Sequence, residues 1–161
     1  MNTNDPPAVA YLREKGIAHR LFQHDTPIES LEHAAQARGQ QPEQVVRSIV
    51  FRLGEESFVM VLMPGPAQVP WKALRRHLGM SRLTMASETE LLQATGYQPG
   101  TVTPFGLPQP MPVIVDEAVL NQTEISLGSG KRGLAIIMRP KDMLAALGQH
   151  EIVRFSKDNS G

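Results

Sequence analysis

Apolar runs separated by turn residues are the clearest pattern in the chain. Residues 47–53 and 58–63 are two such runs, and the polar segment between them predicts a β-hairpin. Similar short runs, rich in branched side chains, predict further strands at 19–23, 112–116, 124–127, 134–138 and 152–155. The sequence therefore predicts about seven short strands.

Segments with helical spacing lie between and beside these strands. In residues 70–78, Trp71, Leu74 and Leu78 fall on one face of a helix, and basic residues occupy the other faces. Start and stop signals predict further helices at 5–15, 30–38, 88–94 and 139–147.

The order of these elements favours one fold class. Strands that follow each other with few helical crossovers favour a mixed, largely antiparallel sheet or partial barrel over a doubly wound parallel sheet. No repeat, linker or low-complexity segment interrupts the chain. We therefore expect an α/β protein of the α+β type, with a single domain over residues 1–161 and helices that flank the sheet.

Charge and composition exclude several classes of function. The chain has 16 basic and 16 acidic residues, and this balance argues against a protein that coats nucleic acid by charge alone. It has no cysteine, so disulfides and thiolate chemistry are excluded. The start of the chain lacks a signal-peptide pattern, and no apolar run approaches the about 18 residues of a membrane helix. We expect a soluble, cytoplasmic protein with no membrane contact.

Side chains typical of metal or covalent catalysis are sparse. The five histidines lack the spacing of metal ligands. No serine lies in the Gly-x-Ser-x-Gly nucleophile elbow of a serine hydrolase. We expect no metal, no cofactor and no covalent intermediate.

Two glycine-rich segments are candidates for a binding site. Residues 96–106 hold three glycines and two prolines, and such a stiff loop could aim its amides at a carbonyl oxygen or a phosphate. Residues 128–133 suggest an anion cradle, but Ile125 and Arg132 break the nucleotide-binding P-loop pattern. Residue types alone leave a structural turn as an equal alternative for each segment.

Arg47 is a further candidate. It begins an apolar Ser-Ile-Val-Phe run directly after Val45 and Val46. Its side chain is therefore either a solvated strand end or a cation directed into a cleft.

Four segments in series resemble the YbaK-like and prolyl-tRNA synthetase-associated editing family. Their ranges are 44–51, 95–106, 112–116 and 128–134. The His24-Asp25 pair after Phe22 is also similar to the first-strand segment of the family. The similarity spans nearly the whole chain, and the series of motifs is more specific than any one of them.

The resemblance implies a fold, an activity and a site. The fold would be a mixed, barrel-like sheet with one cleft for the aminoacylated 3′ end of tRNA. The activity would be hydrolysis of mischarged aminoacyl-tRNA, of proline or cysteine type, in trans. An aminoacyl-tRNA synthetase is a further candidate partner, and no oligomeric state is implied. The residues assigned to catalysis are Arg47, Gly100, Thr101 and Ser129, and those assigned to substrate binding are Phe22, His24, Gly96, Tyr97, Pro104, Asp116, Gly128, Gly130 and Lys131.

Two departures from the family pattern leave alternatives open. Arg47 stands where the family usually has lysine, and arginine keeps the charge but cannot copy a point contact or easily lose a proton. Thr101 stands where many relatives have a second glycine. The chain could therefore be a weak or inactive module that binds tRNA. A small-molecule-binding domain on the same scaffold is a third alternative, which the neutral net charge favours.

The mechanism favoured by the sequence is direct attack by water, because no activated nucleophile is visible. Loop amides would stabilise the oxyanion, and the substrate itself could supply the base. RNA binding would be modest and sensitive to salt. The cations expected to contribute are Lys72, Arg75, Arg76, Lys131 and Arg132.

Overall fold

A computed structural model describes residues 5–155 of the chain. The α-helices in this part are α1 (Pro7–Glu14), α2 (Leu31–Ala37), α3 (Trp71–Leu78), α4 (Glu88–Thr95) and α5 (Pro140–Ala146). The strands are β1 (Arg20–Gln23), β2 (Val46–Arg52), β3 (Phe58–Pro64), β4 (Thr84–Met85), β5 (Val113–Asp116), β6 (Ile125–Gly128), β7 (Leu134–Met138) and β8 (His150–Val153). Short 3₁₀ helices occupy Pro42–Gln44 and Glu117–Asn121.

The strands form two sheets. A five-stranded sheet has the order β4-β2-β3-β5-β8, and a three-stranded sheet has the order β1-β7-β6. Four of the strand pairings are antiparallel, and the two that involve β5 are parallel. The mixed, mostly antiparallel α+β arrangement predicted from the sequence is therefore confirmed.

The barrel-like sheet implied by the resemblance is wrong. Among the described residues, one parallel bridge between Val45 and Ser126 joins the two sheets, and neither sheet closes on itself. Beyond this bridge, β2 pairs on the same side only with β4, at Phe51 and Arg52. Because β2 and β6 do not continue their pairing, a gap opens along the edge of β2.

Two groups of buried side chains cover the faces of the larger sheet. Val46 and Val50 of β2 pack with α1, α5 and the three-stranded sheet. Phe51 of β2 packs on the other face with Leu74 of α3. This division follows from the alternation of side chains along a strand. The same alternation places Ser48 on the face of Val46 and Val50, and Arg47 on the face of Phe51.

The ends of some elements differ from the prediction. The two-residue strand β4 is too short to produce a periodic pattern, and the sequence does not predict it. The last strand is His150–Val153 and not residues 152–155, and Phe155 is buried in the second group of core residues instead. The helix α3 begins at Trp71 and ends at Leu78, as its apolar spacing predicts within one residue.

Candidate active site

A cleft of about 430 Å³ lies along the open edge of β2. Residues 45–50 form one wall, and the others come from α2, from the segment around β4 and α4, and from two glycine loops. The loops contribute Gly100 and Gly128. The structure thus brings Arg47, Gly100 and Gly128 to one cavity, although they are far apart in the sequence.

The backbone of β2 presents hydrogen-bonding groups to this cleft. The amide of Leu53 donates to the carbonyl of Ser57 at 2.7 Å. This bond fixes the alternation along β2, so Arg47, Ile49 and Phe51 are the residues whose backbone groups bond to β3. Residues that bond to the partner strand alternate with residues that do not. Val46, Ser48 and Val50 therefore direct their amides and carbonyls away from β3, to the edge that faces the cleft. The carbonyl of Val50 accepts from the amide of Ala86 at 3.0 Å. The edge at Ser48 has no strand partner among the described residues.

The two glycine loops meet backbone to backbone. The amide of Gly130 donates to the carbonyl of Thr101 at 2.8 Å. A Cβ on Gly128 would lie 2.7 Å from the carbonyl oxygen of Val102, which is closer than real Cβ atoms approach. A Cβ on Gly130 would lie 2.4 Å from the Tyr97 ring. Glycine is therefore required at both positions for the loops to form a common wall.

Tyr97 stabilises the glycine loop of residues 96–106 through a buried hydrogen bond. Its hydroxyl donates to the carbonyl of Phe105 at 2.5 Å, and the side chain is buried. Burial raises the pKa of Tyr97 to about 12, so the hydroxyl stays protonated and remains a donor. Tyr97 does not line the cleft itself.

Arg47 lies at the cleft, but its guanidinium is bonded to a neighbouring loop. Its Nε donates to the carbonyl of Gly65 at 2.7 Å, and its Nη2 donates to the carbonyl of Ala67. Alternation along β2 places its side chain on the face of Ile49 and Phe51. Partial burial lowers its pKa from the ordinary value, but arginine keeps its charge.

Arg38 is a second cation of the cleft, and the sequence did not point to it. Its Nε donates to Nε2 of His24 at 3.0 Å, and its Nη1 donates to the Ser126 hydroxyl at 2.9 Å. This geometry requires that His24 Nε2 carries no proton. Partial burial and the adjacent Arg38 lower the pKa of His24, which favours the neutral ring. Arg38 follows the last residue of α2, so the sequence gives it only the signal of a helix end.

Comparison with known families decides the identity of the fold. A family model described as the aminoacyl-tRNA editing domain matches residues 25–146. The chain belongs to the aminoacyl-tRNA editing domain family. The resemblance predicted from the sequence is therefore confirmed.

Several curated proteins are similar to this editing domain. A protein of Escherichia coli strain K12 named multifunctional Ser/Thr-tRNA deacylase ProXp-y is 24% identical over 92% of this chain and 90% of its own length. A proline–tRNA ligase of Trichlorobacter lovleyi is 29% identical over 67% of this chain. The match covers 19% of that ligase, so the chain corresponds to about a fifth of the larger relative. The E. coli relative is a hydrolase by name, which is the class of enzyme expected from the sequence.

The fold is also similar to that of a solved structure. A crystal structure of a candidate trans-editing enzyme for prolyl-tRNA synthetase superposes with a TM-score of 0.84 and 26% identity. The superposition covers 92% of this chain and 93% of the other. The fold is therefore shared with that protein over nearly the whole chain.

The other expected site residues of the editing domain lie outside the cleft lining. Ser129 is buried, and its hydroxyl donates to the carbonyl of Leu134 at 2.6 Å, where it holds the turn after β6. Asp116 is buried at the end of β5, and its carboxylate accepts from the amide of Ala118 at 2.8 Å. Burial raises the pKa of Asp116. Both side chains stabilise turns of the backbone.

The remaining expected residues also lie outside the cleft lining. The rings of Phe22 and His24 meet edge to face at 5.0 Å. Gly96 ends α4, and Thr101 is buried with its hydroxyl bonded to the carbonyl of Gln98. Pro104 lines a separate cavity of about 320 Å³ beside Tyr11. Lys131 is exposed on the turn between β6 and β7.

Neither a metal-binding cluster nor a membrane-spanning helix occurs within residues 5–155. No cluster of histidine and carboxylate side chains in this part of the editing domain could hold a metal ion. In the same part, every helix is too short or too polar to cross a membrane.

Proposed function

We propose that the cleft hydrolyses the ester bond of mischarged aminoacyl-tRNA and releases the amino acid and the tRNA. The observation that carries this proposal is the convergence of the Gly100 and Gly128 loops on an open strand edge, in a chain of the editing family. Backbone groups that converge on a small cavity are suited to hold an ester carbonyl without reordering.

Water is the nucleophile in this proposal. Its oxygen attacks the ester carbonyl carbon, the bond from that carbon to the ribose oxygen breaks, and a proton passes to the ribose oxygen. Ser48 is part of the cleft wall, but its hydroxyl oxygen is buried and has no hydrogen-bond partner among the described residues. Without an adjacent base this hydroxyl is not activated, so an acyl-enzyme is disfavoured.

The oxyanion would be stabilised by amides of the glycine loops and of the β2 edge. One such donor typically lowers the activation free energy by ~3 kcal/mol. The described residues that line the cleft include no aspartate, glutamate or histidine. The base is therefore assigned to the substrate: a hydroxyl of the terminal ribose, or a group on the amino acid, positions the water.

The substrate is proposed to be tRNA of the proline or cysteine type, edited in trans. Proline–tRNA ligases among the curated relatives support the proline type, whereas the name of the E. coli relative supports deacylation but gives serine and threonine as the amino acids. The cleft wall contains Val46, Val50 and Leu127, which favour a small or apolar aminoacyl group. A synthetase partner belongs to the same proposal, because related domains occur within the ligases.

The body of the tRNA is proposed to contact α3. The side chains of Lys72 and Arg76 are exposed there and make no hydrogen bond or ion pair with the described residues. Trp71 is 38% exposed, and its ring packs edge-on against Phe51 at 5.0 Å. Phe51 pairs with Met85, and Met85 lines the cleft. The basic helix is thus continuous with the site.

One observation supports a second candidate, a module that binds tRNA without hydrolysing it. The guanidinium of Arg47 is held by the carbonyls of Gly65 and Ala67. If hydrolysis requires a free cation at this position, the chain would bind its substrate but turn it over slowly.

Release of labelled amino acids from matched and mismatched aminoacyl-tRNAs distinguishes these functions. We expect enzyme-dependent release from at least one mischarged tRNA of the proline or cysteine type, and little release from correctly charged tRNA. Binding to tRNA without release supports the second candidate. Absence of both binding and release would contradict the two proposals.

A further inference from the structure

We propose that Arg38 binds the phosphate that precedes the terminal nucleotide of the tRNA 3′ end. This inference rests on the proposed function, because it assigns one group of that substrate to one residue. It assigns a substrate contact to a cation other than Arg47, which the sequence analysis placed among the catalytic residues.

Two neutral groups hold Arg38 in place and leave part of its guanidinium open. Its Nε is bonded to His24 and its Nη1 to Ser126. The Ser126 hydroxyl is fixed in turn, because it donates to Oε1 of Gln40 at 2.7 Å. Nη2 of Arg38 makes no hydrogen bond with any described residue. The fork is therefore preorganised, and one edge remains free for an acceptor.

The charge of Arg38 has no counterion among the described residues. It is half-buried, and no carboxylate lies within ion-pair distance. The acid at the far side of the network, Glu124, is already bonded to Arg20 at 2.8 Å and to Gln40 at 3.0 Å. A partly desolvated cation that is bonded only to neutral groups favours the binding of an anion.

The substrate offers phosphate as that anion. In an aminoacyl ester the amino acid has no free carboxylate, and its amino group is positively charged. The anions at the 3′ end are therefore the phosphodiesters, and the closest to the ester is the one on the 5′ side of the terminal adenosine. Both hydrogen bonds of the Arg47 guanidinium go to loop carbonyls, so Arg38 is the better placed of the two cations.

The test uses a stable amide analogue of aminoacyl-adenosine, prepared with and without a 5′-phosphate. Calorimetry should show that the parent protein binds the phosphorylated analogue at least about tenfold more tightly, as expected for a charge-assisted hydrogen bond. Arg38→Gln should lose this preference, and Arg38→Lys should keep part of it because the charge remains. Arg20→Gln is the matched control, since Arg20 belongs to the same network but does not line the cleft.

The outcomes separate this inference from the proposed function. An Arg38→Gln variant with the parent's thermal stability and an unchanged preference for phosphate would overturn the inference alone. Loss of the preference in Arg47→Gln with retention in Arg38→Gln would also overturn it. If Arg38→Gln fails to fold, an Arg38→Lys variant that keeps the parent's full preference for the 5′-phosphate would count against the inference. A parent that binds neither analogue and releases no amino acid from any tRNA contradicts the proposed function as well.

Discussion

At position 47 an arginine makes contacts that a lysine cannot reproduce. Its Nε and Nη2 reach two carbonyls, those of Gly65 and Ala67, from one planar group. A lysine ammonium is a point donor on a flexible chain and would satisfy one of them at a time. The arginine therefore orders the segment after β3, which leads into α3.

Substitution of Arg47 tests this role. Arg47→Ala should leave the fold intact and lower the deacylation rate at least about tenfold, because a charge-assisted contact is lost beside the cleft. Arg47→Lys should fall between the parent and the alanine variant. Rates of amino acid release, with circular dichroism to check folding, measure both effects. Deacylation by Arg47→Ala at the parent rate would mean that the contacts of Arg47 with Gly65 and Ala67 have no part in catalysis.

Residue types predicted part of the site. Arg47, Gly100 and Gly128 interrupt otherwise regular patterns, so each could be selected from the sequence, and the structure places all three in one cleft. Arg38 could not be selected from the sequence, because a cation at the C-terminal end of a helix is common for reasons unrelated to function. The hydroxyl of Ser129 bonds to a nearby carbonyl, a local geometry that composition does not reveal.

Among the larger elements, the junction of the two glycine loops determines the shape of the cleft. Its sequence signal was ambiguous, because glycine-rich segments also form plain turns. The close approach of Gly128 to the carbonyl of Val102 shows that the two segments form a junction and are not plain turns. This contact joins segments more than twenty residues apart, and no pattern within either loop encodes it.

A pair of glycine substitutions isolates this junction. Gly128→Ala should lower the deacylation rate at least about tenfold, since its Cβ must displace the backbone near Val102. Gly54→Ala, in the β2–β3 turn, is the matched control, because its Cβ would meet no atom within 4 Å. Thermal melts and release assays should show a large difference between the variants. Equal activity of both variants would argue against the loops as the carbonyl-binding wall.

Across the whole molecule, local patterns predicted the elements better than their assembly. Hairpin β2–β3 and helix α3 follow from spacing, since their side chains alternate or repeat on one face. Whether the sheet closes depends on where β2 and β6 stop pairing, and the one bridge at Val45 and Ser126 is a long-range contact. The open edge that results is also what creates the cleft, so the site could not be located from the sequence without the fold.

The balanced charge of the chain makes RNA binding a local property. With 16 basic and 16 acidic residues, attraction to tRNA must come from surfaces such as α3. We expect affinity for tRNA to fall as salt rises, with a logarithmic slope of about −0.7 to −0.9 for each phosphate neutralised. Titrations at several salt concentrations measure this slope.

Two lysine variants decide whether α3 carries the contact. Lys72 lies on α3, and Lys141 lies on α5, which packs on the opposite face of the five-stranded sheet. Both are exposed, and neither has a partner among the described residues. Lys72→Gln should reduce the salt slope by about one phosphate contact, while Lys141→Gln should leave it unchanged. Equal slopes for both variants and the parent would place the tRNA on another surface, and would leave the cleft to bind the 3′ end without support from α3.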